Sequence, residues 1–169
     1  MASRMAKKLR KTDHVGKIVV EVGSEPDNRR LYWRRGSPIK METTKKESSR
    51  RQIKAAISHL QKGELDCAIT LAGAAEGILP ATGDPHLFKA IRECPEAEGI
   101  DLNLVINWLK HAEGPEPVNI SEFEATLTIA RAISKFIAVY HQSTRRFEQF
   151  LRWGHEAGHL PKMHREKPE

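Results

Sequence analysis

The feature of this sequence that most constrains its fold is a long apolar repeat towards the carboxyl end. The repeat consists of Phe123, Leu127, Ala130, Ile133, Ile137 and Tyr140. Steps of three and four residues place these side chains on one face of an α-helix, and such a face needs other helices to cover it. The helix begins at Asn119 or Ser121, because Ser121 and Glu124 have the spacing of a capping box. It either runs on or kinks near residues 142–144 into a second apolar segment.

Shorter segments with the same period precede this repeat. We predict helices from Ser48 or Ser49 to Lys62, from Glu64 to Leu79, over residues 86–94 and from Asp101 to Glu113. Gly63 ends the first of these helices, and Pro80 stops the second. Because the connections are short, we expect an all-α bundle over residues 48–153. Residues 154–169 are expected to form a frayed tail.

The helix predicted at residues 64–79 combines small residues with one acidic residue on its apolar face. The small residues, which let another helix approach closely, are Ala68, Ala72, Gly73, Ala75 and Gly77. Glu76 follows Ala72 by four residues, so it falls on the apolar stripe. A buried carboxylate requires a partner. The expected partners are Lys110, His111 and Arg131, either to orient a catalytic imidazole or to form a structural ion pair.

The first 47 residues differ in character and are predicted to be a basic arm. Residues 1–54 contain sixteen Lys or Arg and six Asp or Glu, whereas residues 55–169 carry a net charge of −4. Within the arm we predict a disordered start at residues 1–12, a β-hairpin at 15–35 and a linker at 37–49. Such an arm suits RNA or another polyanion, or it folds onto the acidic body or a second subunit.

Aromatic and arginine side chains are interleaved in the predicted hairpin. They are Arg29, Arg30, Tyr32, Trp33, Arg34 and Arg35. The rings can stack on bases while the guanidinium groups hold phosphates, which makes these residues the candidate nucleic-acid contacts. Alternatively, one ring anchors the hairpin to the helices and the arginines are solvated, since no signature of an RNA-binding module is present.

The remaining composition indicates a cytoplasmic protein without a cofactor. Cys67 and Cys94 both fall in predicted helices, so we expect buried thiols in a reducing compartment. The apolar stretch after the basic start is too short for a secretory signal. No stretch reaches the roughly 18 apolar residues of a membrane span, so we expect no membrane partner.

The stretch from Asp101 to Glu113 carries the candidate chemistry. Its apolar face consists of Leu102, Val105, Leu109 and Ala112. Asn107 and His111 stand four residues apart, which places their side chains one above the other on a neighbouring face of the predicted helix. Lys110 lies beside them. An amide, an ammonium and an imidazole thus share one surface, and the imidazole can exchange protons near neutral pH.

The stretches LQKGELDCAITLAGAAEGIL and NWLKHAE together resemble a bacterial group of the HEPN superfamily. HEPN domains are four- to five-helix bundles, and many are metal-independent ribonucleases or toxins. In this group the later helix has the pattern R-N-x-x-K-H-A. From that pattern this chain supplies Asn107, Lys110, His111 and Ala112. The resemblance covers residues 48–152, includes Glu76 in the earlier helix, and implies a site that usually forms across a homodimer.

One position departs from the pattern, because Ile106 stands where the signature Arg is expected. The resemblance implies that this Arg holds the scissile phosphate while the His handles protons. A fixed guanidinium stabilises the negative charge of the phosphate transition state, and a butyl group does not. A substitute cation would have to come from Lys110, Arg92 or Arg131.

Two functions follow from the resemblance. The first is a degenerate HEPN-like domain that binds RNA or a protein partner, with weak or no catalysis. The second is a metal-independent ribonuclease that uses His111, assisted by Asn107, Lys110 and Glu76. In the first case His111 is a packed residue near a helix end, where a cation is favourable against the helix dipole.

The segment His155 to His159 reads HEAGH and matches the zinc motif H-E-x-x-H. That motif places two His on one face of a continuous helix with Glu156 activating a water, so a zinc hydrolase is a remote third function. Gly154, Gly158 and Pro161 argue against a continuous helix. We therefore predict the end of a helix and no metal site there.

Overall fold

The computed structural model describes residues 40–95, 98–99 and 101–160, and these residues form helices and turns without a β-strand. The helices of the described chain are α1 Lys45–Leu60, α2 Leu65–Ile78, α3 Leu87–Arg92, α4 Leu104–Lys110, α5 Glu122–Tyr140 and α6 Arg145–Glu156. The all-α prediction is confirmed. The predicted disordered start, the hairpin at 15–35 with its candidate nucleic-acid contacts and the residues after 160 lie outside the described residues.

The core forms where α1, α2 and α5 pack against one another, and α6 adds side chains to it. Its large, fully buried side chains include Ile53, Ile69, Ile129, Ile133, Phe136 and Phe147. The small residues of α2 allow this close packing, because Ala68, Ala72 and Ala75 are completely buried. None of the described helices is long and apolar enough to span a membrane.

Helix α1 begins earlier than the sequence predicts. Thr44, rather than Ser48 or Ser49, is its N-cap, and the Thr44 hydroxyl accepts a hydrogen bond from the Glu47 N–H at 3.1 Å. Ser48 already donates its N–H to the Thr44 carbonyl inside the helix. Ser49 is buried and donates its hydroxyl to the Ala75 carbonyl of α2 at 3.2 Å. The bundle therefore starts within the segment predicted to be a linker.

The predicted helix ends near Gly63 and Ser121 are confirmed. Gly63 adopts a left-handed φ of 77°, and the Glu64 N–H bonds the His59 carbonyl across it. Ser121 and Glu124 form the full capping box at the start of α5. Helix α5 does not run on, because His141 turns to a φ of 51° and Thr144 caps a separate α6.

The cysteine prediction is wrong. Cys67 and Cys94 are both exposed. Cys67 lies on the side of α2 opposite the buried Ile69 and Ala72, so its side chain points away from the core. Cys94 follows the end of α3 at Arg92 and is not helical.

Candidate functional site

Helix α4, which carries the candidate chemistry, is shorter than the predicted span from Asp101 to Glu113. Its start is defined by a turn in which the Asp101 carboxylate accepts the Asn103 N–H at 2.9 Å. Its last residue is Lys110. His111 has an extended backbone, with a φ of −117° and a ψ of 155°. The prediction failed at both ends because the apolar period continues past the point where the chain leaves the helix.

A hydrogen bond folds the chain back on α4 after His111. The indole N–H of Trp108 donates to the Pro115 carbonyl at 2.8 Å. Gly114 allows this reversal, since its φ is 131° and a Cβ there would lie 2.8 Å from the Trp108 ring. The segment from Glu113 to Pro115 thus packs against the end of α4 instead of extending it.

The polar residues of the predicted site are exposed, but they do not form the expected stack. Asn107, Lys110 and His111 all face solvent. The Asn107 carbonyl accepts the His111 N–H at 3.0 Å, which is a contact between backbones. Because His111 has left the helical geometry, its side chain does not project along the same helix face as Asn107. The side chains of these residues make no hydrogen bond with one another in the described chain.

The position of the signature arginine faces the core. Ile106 is 6% exposed and packs on the backbone of α2 at Gly73. A Cβ added to Gly73 would lie 3.2 Å from Cγ2 of Ile106, so the two helices touch at this point. Val105 beside it is also buried. Position 106 therefore serves helix packing.

Glu76 is buried, as predicted, and its partner is Arg131 rather than Lys110 or His111. The two side chains are 8% and 2% exposed, and Oε2 of Glu76 lies 2.8 Å from Nη2 of Arg131. The backbone carbonyl of Glu76 also accepts the Lys135 ammonium at 3.0 Å. Glu76 is therefore part of a helix-to-helix ion pair between α2 and α5, and it does not orient the imidazole of His111.

Arg131 also holds the turn that precedes α4. Its guanidinium donates to the Leu102 carbonyl at 2.6 Å and to the Asn103 side-chain carbonyl at 2.9 Å. The Phe88 ring of α3 covers it at 4.3 Å. Sequence reasoning named Arg131 as a possible partner of Glu76 and as a possible substitute cation, and it missed this central role. One signal was present, because Arg131 follows Leu127 by four residues and so lies on the apolar face of α5.

The HEAGH segment is the capped end of α6. The helix ends at Glu156, and Gly158 has a left-handed φ of 76°. The His159 N–H bonds the Gly154 carbonyl and the Gly158 N–H bonds the His155 carbonyl, which together form a Schellman motif. The two histidines therefore do not share one face of a continuous helix. The described residues include no group of three His, Cys, Asp or Glu placed to hold a metal ion.

The segment after α6 also differs from the frayed tail predicted to begin at residue 154. Leu160 is 5% exposed and packs over Gly154, where a Cβ would lie 2.7 Å from its Cδ1. The His159 ring lies 5.7 Å from the ring of Trp153. Residues 154–160 are therefore part of the bundle.

Fold and site together define an all-α bundle with a buried Glu–Arg pair and an exposed polar surface at the end of α4. Comparison of the chain with family models, curated proteins and solved structures finds no match. The resemblance to HEPN domains therefore rests on the sequence motifs alone.

Proposed function

We propose that this chain is a degenerate HEPN-like bundle that binds RNA and has weak or no catalytic activity. The observation that supports this proposal is the burial of Ile106 against Gly73. A residue at that position packs between helices, so it cannot present a cation to a phosphate without opening the α2–α4 contact.

Other cations do not readily replace the missing arginine. Arg131 is 2% exposed, and its two terminal nitrogens already bond Glu76, the Leu102 carbonyl and Asn103. Lys110 and Arg92 are exposed, and neither is held by a carboxylate of the described chain. A mobile ammonium or guanidinium stabilises a phosphate transition state less well than a fixed one, since it must be ordered during the reaction.

RNA is the proposed partner because of the arm. The excess of seven positive charges over residues 1–47 suits a polyanion, and the interleaved aromatic and arginine residues at 29–35 suit unpaired bases. This part of the proposal rests on the sequence. A protein partner is the alternative result of the test below.

The test measures binding of a fluorescent single-stranded RNA to the full chain over a range of salt concentrations. Replacing Arg29, Arg30, Arg34 and Arg35 with Gln should weaken binding and reduce the slope of log K against log salt by about 3, at about 0.7 per lost phosphate contact. The matched control replaces Lys7, Lys8, Arg10 and Lys11 with Gln, which changes the same net charge elsewhere in the arm. RNA binding that is absent, or equally affected by both sets, contradicts the proposal and favours a protein partner.

A further inference from the structure

A groove of about 780 Å³ lies between α1 and α6, apart from the candidate chemistry of α4. Its lining combines the apolar Ile57, Phe150 and Trp153 with the cationic Lys54, Arg145 and Arg146. We refer to it as the α1–α6 groove. Its volume falls within the roughly 300–1,000 Å³ of small-molecule and cofactor sites.

The floor of the α1–α6 groove is apolar and includes an accessible indole. Ile57, Leu60 and Phe150 are buried at 3%, 8% and 5% exposure. Trp153 is 38% exposed although it is a large apolar residue. Its ring centroid lies 5.7 Å from that of Phe150, one helical turn earlier, and 5.7 Å from that of His159 in the cap that follows α6. A positioned and accessible indole is a platform for a planar ring.

The charges around the groove are mostly positive, and the carboxylates of the described residues do not pair with them. Arg146 donates to the Ser58 hydroxyl at 2.7 Å and to the Gln61 side-chain carbonyl at 3.4 Å, and both acceptors are neutral. Lys54 and Arg145 make no ion pair with a carboxylate in the described part of the chain. Glu122 is the carboxylate among the lining residues. The groove therefore retains a net positive charge that favours an anion.

We propose that the α1–α6 groove binds a nucleotide, with the base against Trp153 and the phosphate held by Lys54, Arg145 and Arg146. An anion alone would leave the indole without a role, and an apolar ligand would leave three cations unpaired. A phosphate joined to a planar ring satisfies both halves of the lining. The nucleotide is either free or one unit of a single-stranded RNA. This inference does not depend on the arm, because every residue it uses lies between Lys54 and His159.

Titration calorimetry on the full chain tests the ligand class with four probes. They are adenosine 5′-monophosphate, ribose 5-phosphate, an adenosine pentanucleotide and a pentaglutamate peptide. We expect adenosine 5′-monophosphate to bind at least about fivefold more tightly than ribose 5-phosphate, since only the nucleotide has a base that stacks on the indole. Pentanucleotide affinity more than tenfold above that of the mononucleotide identifies a strand as the source. Equal affinities identify a free nucleotide.

Variants of the lining assign the binding to this groove. Trp153→Leu should weaken mononucleotide binding about tenfold, and Trp153→Phe should restore most of it because a phenyl ring still stacks. Arg145→Gln should weaken it at least about fivefold. Arg152→Gln is the matched control, since Arg152 is exposed on α6 and does not line the groove. Thermal unfolding of each variant verifies that the bundle is intact.

Several results would overturn the inference. They are the absence of mononucleotide binding at millimolar concentration, equal binding of ribose 5-phosphate, preference for the pentaglutamate peptide, and affinity unchanged in Trp153→Leu.

The chain with Arg29, Arg30, Arg34 and Arg35 replaced by Gln separates this inference from the proposed function of the arm. We expect that variant to lose affinity for long RNA while its mononucleotide affinity stays the same.

Discussion

Arg131 and Glu76 form a buried pair, with Nη2 of the guanidinium 2.8 Å from Oε2 of the carboxylate. The pair joins α5 to α2, and the same guanidinium holds the Leu102 carbonyl and the Asn103 side chain ahead of α4. Helix α4 has only seven residues and cannot be stable alone. The pair therefore positions α4, and with it the polar surface at Asn107, Lys110 and His111.

Arg131→Met should destabilise the bundle by about 3–5 kcal/mol, because it leaves the buried Glu76 carboxylate without its partner. Urea unfolding followed by circular dichroism measures the change. Arg152→Met, at an exposed position on α6, is the matched control and should stay within about 0.5 kcal/mol of the wild type.

The double variant Glu76→Leu with Arg131→Met should be less destabilised than the sum of the two single variants. Removing both partners leaves no unpaired buried charge, so the coupling between the sites should be about 1–3 kcal/mol. If the loss of unfolding free energy in the double variant equals the sum of the two single losses, the two side chains are not coupled.

Ile106→Arg should destabilise the bundle by about 3 kcal/mol or more, because it places a guanidinium against the backbone of Gly73 without a carboxylate partner. Ile106→Val, which keeps the apolar contact, should cost about 1 kcal/mol. Urea unfolding again compares the two variants. A stable Ile106→Arg protein would show that α4 can turn this position towards solvent.

The same substitution should have opposite effects at Gly77 and Gly158. Gly158→Ala should destabilise the bundle by about 1 kcal/mol, because Gly158 has a φ of 76° in the cap of α6. Gly77→Ala should stabilise it by about 0.5 kcal/mol, since Gly77 is helical and exposed with no atom within 4 Å of an added Cβ. Thermal unfolding measures both changes. A neutral or stabilising effect of Gly158→Ala would contradict the Schellman geometry at HEAGH.

The thiol of Cys67 should react slowly with alkylating reagents. Desolvation by neighbouring atoms, followed by the carboxylates of Asp66 and Glu64, raises the pKa of this thiol above its ordinary value. A raised pKa leaves less thiolate at a given pH, and thiolate is the reactive form. Asp66→Asn should therefore accelerate iodoacetamide modification of Cys67 at pH 8 by about twofold. Peptide mass spectrometry measures the rate, and an unchanged rate would exclude the Asp66 contribution. Asp84→Asn, remote in sequence, is the control.

Local sequence signals predicted where α5 begins but not where α1 begins. Ser121 and Glu124 define a helix start by themselves, because both halves of the capping box are encoded within four residues. Ser48 and Ser49 were equally plausible caps for α1, yet Thr44 is the cap and Ser49 bonds the Ala75 carbonyl of α2. A serine that serves a neighbouring helix cannot be distinguished from a cap without the tertiary structure.

The sequence predicted only part of the candidate site, because the partner of a buried side chain again depends on the tertiary structure. The position of Glu76 on an apolar stripe correctly indicated a buried, partnered carboxylate. The choice among Lys110, His111 and Arg131 depends on how α2, α4 and α5 are placed in space, which no periodicity encodes. The end of α4 depends on the hydrogen bond from the Trp108 indole to the Pro115 carbonyl. The apolar period alone would allow the helix to continue to Ala112, so the sequence pattern does not show where it ends.

An RNA cleavage assay in the presence of a chelator tests the proposed loss of catalysis. We expect no cleavage above background by the wild type, because position 106 supplies no cation and Arg131 is engaged with Glu76. His111→Ala should then match the wild type in cleavage and in RNA affinity. His141→Ala, at another exposed histidine, is the control. Cleavage by the wild type that disappears only in His111→Ala would establish the ribonuclease function. The phosphate would then require an exposed cation, and Lys110→Gln and Arg92→Gln would show which of the two supplies it.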